Sequence, residues 1–121
     1  MPKRILVIDD DPDILEILDI IFKQEGYEVI LSETGYEAED IVGINPDLVI
    51  LDIRISGSGR NGADICAKIK SQPETQDLPV IMISSEDNLK EISEQCKANG
   101  YIKKPFEVSN LIAKVNELFA A

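Results

Sequence analysis

Leu48-Val49-Ile50-Leu51-Asp52 is the stretch that decides the fold. Four consecutive apolar residues do not alternate between core and water, so they suit a strand buried on both faces, and the run stops on an acid. Two other runs repeat this design. Arg4-Ile-Leu-Val-Ile8 leads into Asp9 and Asp10, and Pro79-Val-Ile-Met-Ile83 leads into Ser84 and Ser85.

Working outward, the period changes between these runs from continuous to helical. Pro12 fits a first helical turn with Asp11 as its N-cap, and Ile14, Ile17, Leu18, Ile21 and Phe22 recur at three- and four-residue spacing until Gly26. Tyr27 to Leu31 predicts a short second strand, and Ala38, Ile41 and Val42 a short second helix ending near Gly43, before Asn45-Pro46 turns the chain. After Asp52 comes a polar loop through Ser56-Gly57-Ser58-Gly59, then a helix with Ile65, Cys66 and Ile69 on its apolar face. Leu89, Ile92 and Cys96 line a fourth helix, and Tyr101-Ile102 a short fifth strand. Val108, Leu111, Ile112, Val115, Leu118 and Phe119 form the stripe of a fifth helix.

Five strands alternating with five helices imply parallel strands joined by right-handed crossovers, with helices on both faces of one sheet. The expectation is a doubly wound, flavodoxin-like α/β fold. With 121 residues and no linker or repeat in the sequence, residues 1–121 are expected to form one domain with no output domain in this chain.

The charge balance is 12 basic against 23 acidic residues, so the surface field repels nucleic-acid phosphates and acidic membranes, and direct nucleic-acid binding is not expected. No apolar stretch approaches membrane-spanning length, which gives the expectation of a soluble, cytoplasmic protein. Cys66 and Cys96 stand thirty positions apart on apolar helix faces, a spacing that reads as two buried free thiols. Histidine is absent, which removes the usual general base and transition-metal ligand. Chemistry here falls to carboxylates, lysines and hydroxyls.

In sheets of this kind ligands gather beyond the carboxyl ends of the strands, where strand order reverses. Those ends carry Asp9 and Asp10, Asp52, Ser84 and Ser85, and Lys103 and Lys104. If the order is 2-1-3-4-5, strands one and three are neighbours and their acids converge. Clustered carboxylates raise one another's pKa unless a cation compensates. A shallow all-oxygen cluster suits Mg²⁺, with Mn²⁺ able to substitute. Any single aspartate after a strand is better read as a turn or cap residue, and Asp11 is assigned to that role. Acids at two strand ends, with a hydroxyl and a lysine at two others, point instead to a phosphoryl site. Asp52, alone at the end of a central apolar strand, is the expected nucleophile, and the pair Asp9 and Asp10 the expected metal holder.

Four segments in register resemble the receiver domain of two-component response regulators. They are Ile5-Leu-Val-Ile-Asp9-Asp10, Asp47-Leu-Val-Ile-Leu-Asp52, Pro79-Val-Ile-Met-Ile-Ser84 and Gly100-Tyr-Ile-Lys-Lys104-Pro105-Phe106. The resemblance implies that Asp9, Asp10, Asp52 and the backbone carbonyl of Arg54 bind Mg²⁺, and that Ser84 and Lys104 contact phosphoryl oxygens. It implies a cis peptide at Lys104-Pro105 and a switch role for Ser84 and Tyr101, the alternative for Tyr101 being a half-buried edge-strand tyrosine. It further implies a histidine kinase or histidine phosphotransfer protein as donor, a downstream protein target, and a chain that is a monomer or a phosphorylation-dependent dimer. As a phosphoacceptor it would catalyse only its own phosphorylation and dephosphorylation.

The segment between Asp52 and Gly62 is about two residues longer than the family's common form, with Ser56 in place of its usual proline and Arg60 added. Arg54 and Glu86, each two residues past a strand-end group, are placed to face one another and to gate water, the alternative being an exposed ion pair. Three rival readings have sequence tests. An aspartate-based phosphohydrolase needs a cap domain and an acid-x-acid pattern after strand one. A flavodoxin-like cofactor carrier needs a phosphate loop where these acids stand. A phosphorylation-independent binding module would have lost part of the acid, hydroxyl and lysine set.

Overall fold

A computed structural model describes residues 2–33, 38–54 and 61–120 of the chain. The strands are β1 (Arg4–Ile8), β2 (Glu28–Ser32), β3 (Leu48–Asp52), β4 (Val80–Ser84) and β5 (Gly100–Lys103). The helices are α1 (Pro12–Gln24), α2 (Ala38–Ile44), α3 (Gly62–Ser71), α4 (Leu89–Gln95) and α5 (Val108–Ala120). All strand pairings are parallel, as the alternation implies, and the order is β2-β1-β3-β4-β5, the order on which the convergence of the acids was conditioned. Among the described residues no helix is long and apolar enough to cross a membrane.

The continuous apolar runs are explained by two cores, one on each face of the sheet. Ile5, Val7, Leu48, Ile50, Ile81 and Ile83 point to one face and pack with Leu15, Leu18 and Phe22 of α1 and Leu111 and Val115 of α5. Leu6, Ile8, Val49, Leu51, Val80 and Met82 point to the other, against Ile41 of α2, Ile65, Cys66 and Ile69 of α3, and Leu89 of α4. Successive side chains of a strand alternate faces, so only a strand covered on both sides needs every position apolar. β3 and β4 are buried along their whole length, whereas the edge strand β5 alternates between partly buried and exposed.

Three expected core positions are corrected. On α1 the buried residues are Leu15, Leu18 and Phe22, and Ile17 is 44% exposed. The segment is apolar at Ile14, Leu15, Ile17, Leu18, Ile20, Ile21 and Phe22, so a 3.6-residue period admits two neighbouring stripes, and packing selects the one through Leu15. Val42 and Val108 are likewise exposed, each near a helix end whose inner face is already filled by Ile41 and Leu111. Cys66 and Cys96 are buried and free, as expected.

Local signals fix where α1 and α3 begin. Asp11 caps α1, its carboxylate accepting from the Asp13 N–H at 2.9 Å, with Pro12 in the first turn. Asn61 caps α3 through the N–H of Asp64 at 2.9 Å.

Candidate functional site

Register brings the acids together. Ile8 of β1 lies beside Leu51 of β3, so the next residue on each strand is an aspartate, Asp9 and Asp52. Asp9 is fully buried and Asp52 is 6% exposed. Asp10 is partly buried, and carboxylate oxygens of Asp9, Asp10 and Asp52 all fall within 4.8 Å of one another. The three acids predicted to converge are therefore in one cluster.

The opposite charge arrives from the far edge of the sheet. Lys104 follows β5, its backbone N–H donating to the Ser84 carbonyl at 2.8 Å, which ties the ends of β4 and β5. Its ammonium reaches back to Asp9 Oδ2 at 2.9 Å and Asp52 Oδ2 at 3.2 Å. The Lys104-Pro105 peptide is cis. Ser84, almost fully buried at the end of β4, accepts from the Glu86 N–H through Oγ at 3.2 Å. Ile83 stands beside Asp52 in the sheet, so the Ser84 hydroxyl and the Asp52 carboxylate occupy the same end of adjacent strands.

Asp9 and Asp52 are each braced by backbone. The Asp11 N–H donates to Asp9 Oδ1 at 2.9 Å, so Asp11 serves the site as well as the helix cap. The Arg54 N–H donates weakly to Asp52 Oδ1 at 3.4 Å, placing the backbone of Arg54 next to that carboxylate.

The electrostatics follow from burial. Loss of water around Asp52, then the charge of Asp9, push its carboxyl from 3.8 up to about 6, against the opposing pull of the Lys104 ammonium and the Arg54 N–H. At Lys104 burial would lower the pKa, but the contacts with Asp9 and Asp52 outweigh it and the ammonium is held above its ordinary value. One lysine against three clustered carboxylates leaves net negative charge, and a hard cation with oxygen ligands fits the donor set. The cluster offers the carboxylate oxygens that such an ion takes, with neither thiolate nor imidazole in it.

Gly62 is a site residue that the sequence did not mark. It opens α3 and returns the chain to the end of β3, its N–H donating to the Ile53 carbonyl at 2.5 Å. A Cβ built there would stand 1.9 Å from the Asp52 carbonyl oxygen, a backbone atom with no freedom to move aside. Nothing local signals this need, because it arises from a contact across the intervening segment. Ser56 and Arg60, together with the extra length of that segment, lie outside the described residues.

Arg54 and Glu86 do face one another, with Nε to Oε1 at 2.5 Å, the Arg54 side chain being 80% exposed. Tyr101 stands on the edge strand β5 with its side chain exposed, and Lys103 pairs with Asp87 at 3.1 Å at the surface.

The family profile for the response regulator receiver domain matches residues 5–116. The chain belongs to that family. Among solved structures, a response regulator from Chloroflexus aurantiacus J-10-fl is 31% identical over the full length of both chains, with a TM-score of 0.92. The receiver domain of NtrX from Brucella abortus is 33% identical, covering 97% of this chain and 98% of that one, with a TM-score of 0.80. The chemotaxis protein CheY4 of Vibrio cholerae shares the fold at 18% identity, with a TM-score of 0.80 over 98% of this receiver and 99% of that chain. The strand order is thus the receiver order, and the acidic cluster stands at the switch point, where the chain leaves the paired strands β1 and β3 toward opposite edges of the sheet.

Proposed function

We propose that this receiver domain accepts a phosphoryl group on Asp52 from the phosphohistidine of a kinase or a histidine phosphotransfer protein. The observation that carries the reading is the convergence of Asp9, Asp10 and Asp52 with the Lys104 ammonium bridging two of them. An Asp52 carboxylate oxygen attacks phosphorus in line and the bond from phosphorus to the donor imidazole nitrogen breaks, leaving an acyl phosphate on Asp52. Lys104 and the Ser84 hydroxyl take phosphoryl oxygens, which requires Lys104 to release Asp52 as that carboxylate becomes a mixed anhydride. Magnesium would be held by Asp9, Asp10, Asp52 and the backbone carbonyl of Arg54, and would supply charge neutralisation at the transferring group.

Engagement of Ser84 and Lys104 pulls on the ends of β4 and β5. We assign the response to the surface of α4, β5 and α5, which carries the exposed Tyr101, as the face offered to a downstream protein. Two arrangements of that surface, biased by the acyl phosphate, suffice for a switch. The domain turns over no external substrate in this reading.

The test is incubation with a small phosphodonor such as acetyl phosphate, with and without Mg²⁺, read by intact mass. An adduct of about 80 Da that needs Mg²⁺ and is absent from Asp52→Asn is expected. Absence of any adduct from the wild-type chain would replace this reading with that of a phosphorylation-independent binding module.

A further inference from the structure

The sheet has two edges, and they are finished differently. β5 closes one edge with Lys103, a charge of the kind that discourages further pairing. β2 closes the other with Glu28-Val-Ile-Leu-Ser32, and among the described residues no strand lies beyond it. The Glu28 N–H donates to the Lys3 carbonyl at 2.9 Å, and the Ser32 carbonyl accepts from the Asp9 N–H at 3.1 Å. In a parallel ladder a residue turns both its main-chain groups to one side and the next residue turns them to the other. Glu28, Ile30 and Ser32 therefore serve β1, and Val29 and Leu31 direct their N–H and C=O groups outward.

Beside this edge the surface is both shaped and charged. A hollow of about 330 Å³ opens between α1 and β2, with Pro12, Leu15 and Leu31 as its apolar wall and Glu16, Asp19 and Glu33 around it. Leu31 stands in register with Val7, so its side chain lies on the α1 face of the sheet, where it is 38% exposed. Ile20, one turn beyond Glu16 on α1, is 51% exposed and extends the apolar surface. Lys23 pairs with Asp19 at 3.0 Å, whereas Glu16 and Glu33 meet no cation among the described residues. An apolar hollow framed by two uncompensated carboxylates is complementary to an apolar side chain flanked by bases.

We propose that β2 is a docking edge for an extended, basic segment of another protein, which adds to the sheet as a further strand. Its main chain pairs with the outward groups of Val29 and Leu31. Side chains two apart on a strand share a face, so the segment that fits has an apolar residue entering the hollow against Leu15 and Leu31. Lysine or arginine two positions to either side meets Glu16 and Glu33. A second copy of this chain does not suit the edge, because both copies bring Glu28 and Glu33 and β2 carries no base. The docking does not depend on the reading of Asp52.

The test uses the full chain, isotopically labelled, and a short capped peptide in which lysine alternates with threonine around a central leucine. Amide exchange is followed residue by residue by NMR. At saturating peptide the Val29 and Leu31 N–H groups should exchange about tenfold more slowly or less, while Glu28 and Ile30, already bonded to β1, keep their rates. The same peptide with glutamate for lysine should slow neither. Glu16→Lys combined with Glu33→Lys should weaken binding of the lysine peptide by about tenfold, with unchanged exchange at Glu28 and Ile30 showing that the edge itself is intact. At a net charge of −11 the competing outcome is loose adsorption. Resonance shifts scattered over the acidic surface without slowed exchange at Val29 and Leu31 would overturn the proposal. So would equal slowing by the glutamate peptide, indifference to the double charge reversal, or no binding of the lysine peptide at all.

Discussion

β3 and β5 both deliver a charged group to the same site, and they do it by opposite means. β3 is buried at every position and ends on Asp52, whose carboxylate is held by the strand itself at the centre of the sheet. β5 is a half-exposed edge strand of four residues, and the Lys104 that follows it is placed by its contacts with Ser84, Asp9 and Asp52. The central strand fixes an acid where burial raises its pKa. The edge strand brings a cation whose place depends on the very carboxylates that a phosphoryl group would alter. The proposed switch asks for both properties, a fixed carboxylate and a cation that a phosphoryl group would displace.

The firmest way to break this contrast is at the back of Asp52. Gly62→Ala sets a methyl group against the Asp52 carbonyl, so α3 must shift and the rigid end of β3 with it. The expected loss is about 3 kcal/mol or more in urea unfolding, with no comparable loss for Gly43→Ala, where a Cβ meets nothing within 4 Å. Comparable stabilities for the two variants would mean that the end of β3 is not held from behind.

The second prediction concerns the raised acid. Asp52 holds its proton more tightly folded than unfolded, so its contribution to stability is fully present below pH 3.8 and is lost as pH rises through about 6. In metal-free protein at pH 7.5, Asp52→Asn should therefore be more stable than wild type by on the order of 2 kcal/mol, and the gap should close as pH is lowered toward 4. Thermal melts of both proteins across that range measure it. A gap that widens on acidification would reverse the sign of the argument.

Lys104→Ala sharpens the comparison from the other side. It leaves Asp9 fully buried and unpaired with its cation, and a loss of roughly 1–3 kcal/mol is expected in metal-free protein. Added Mg²⁺ should recover part of that loss, because the same oxygens gain another positive partner. The smallest effect is expected at Arg54 and Glu86, an ion pair with a largely exposed arginine. Arg54→Ala should change stability by less than about 0.5 kcal/mol, while the lifetime of the acyl phosphate tests whether the pair gates water. An unchanged lifetime in both Arg54→Ala and Glu86→Ala removes the gate and leaves a surface contact.

The legible parts of this molecule were those whose cause is local in the chain. Leu48–Asp52 and Arg4–Ile8 announce doubly covered strands because every side chain must be apolar, and the acids that follow them inherit their placement from parallel register. Arg54 and Glu86 were legible for the same reason, each standing two residues past a neighbouring strand-end group. On α1 the sequence was apolar on too many sides, and only packing against the sheet separates Leu15 from Ile17. Gly62 and the hydrogen bond from the Cys66 thiol to the Cys96 carbonyl were illegible because both arise from tertiary contact, the first across the segment after β3 and the second across thirty residues.

The measurement that bears most directly on the central claim is the position of the acyl phosphate itself. The phosphorylated wild-type chain, reduced with borohydride and digested, should show homoserine in place of aspartate at position 52 alone, with Asp9 and Asp10 unchanged. Reduction at Asp9 or Asp10, or an adduct stable to borohydride on a hydroxyl, would contradict the assignment of Asp52 as the acceptor.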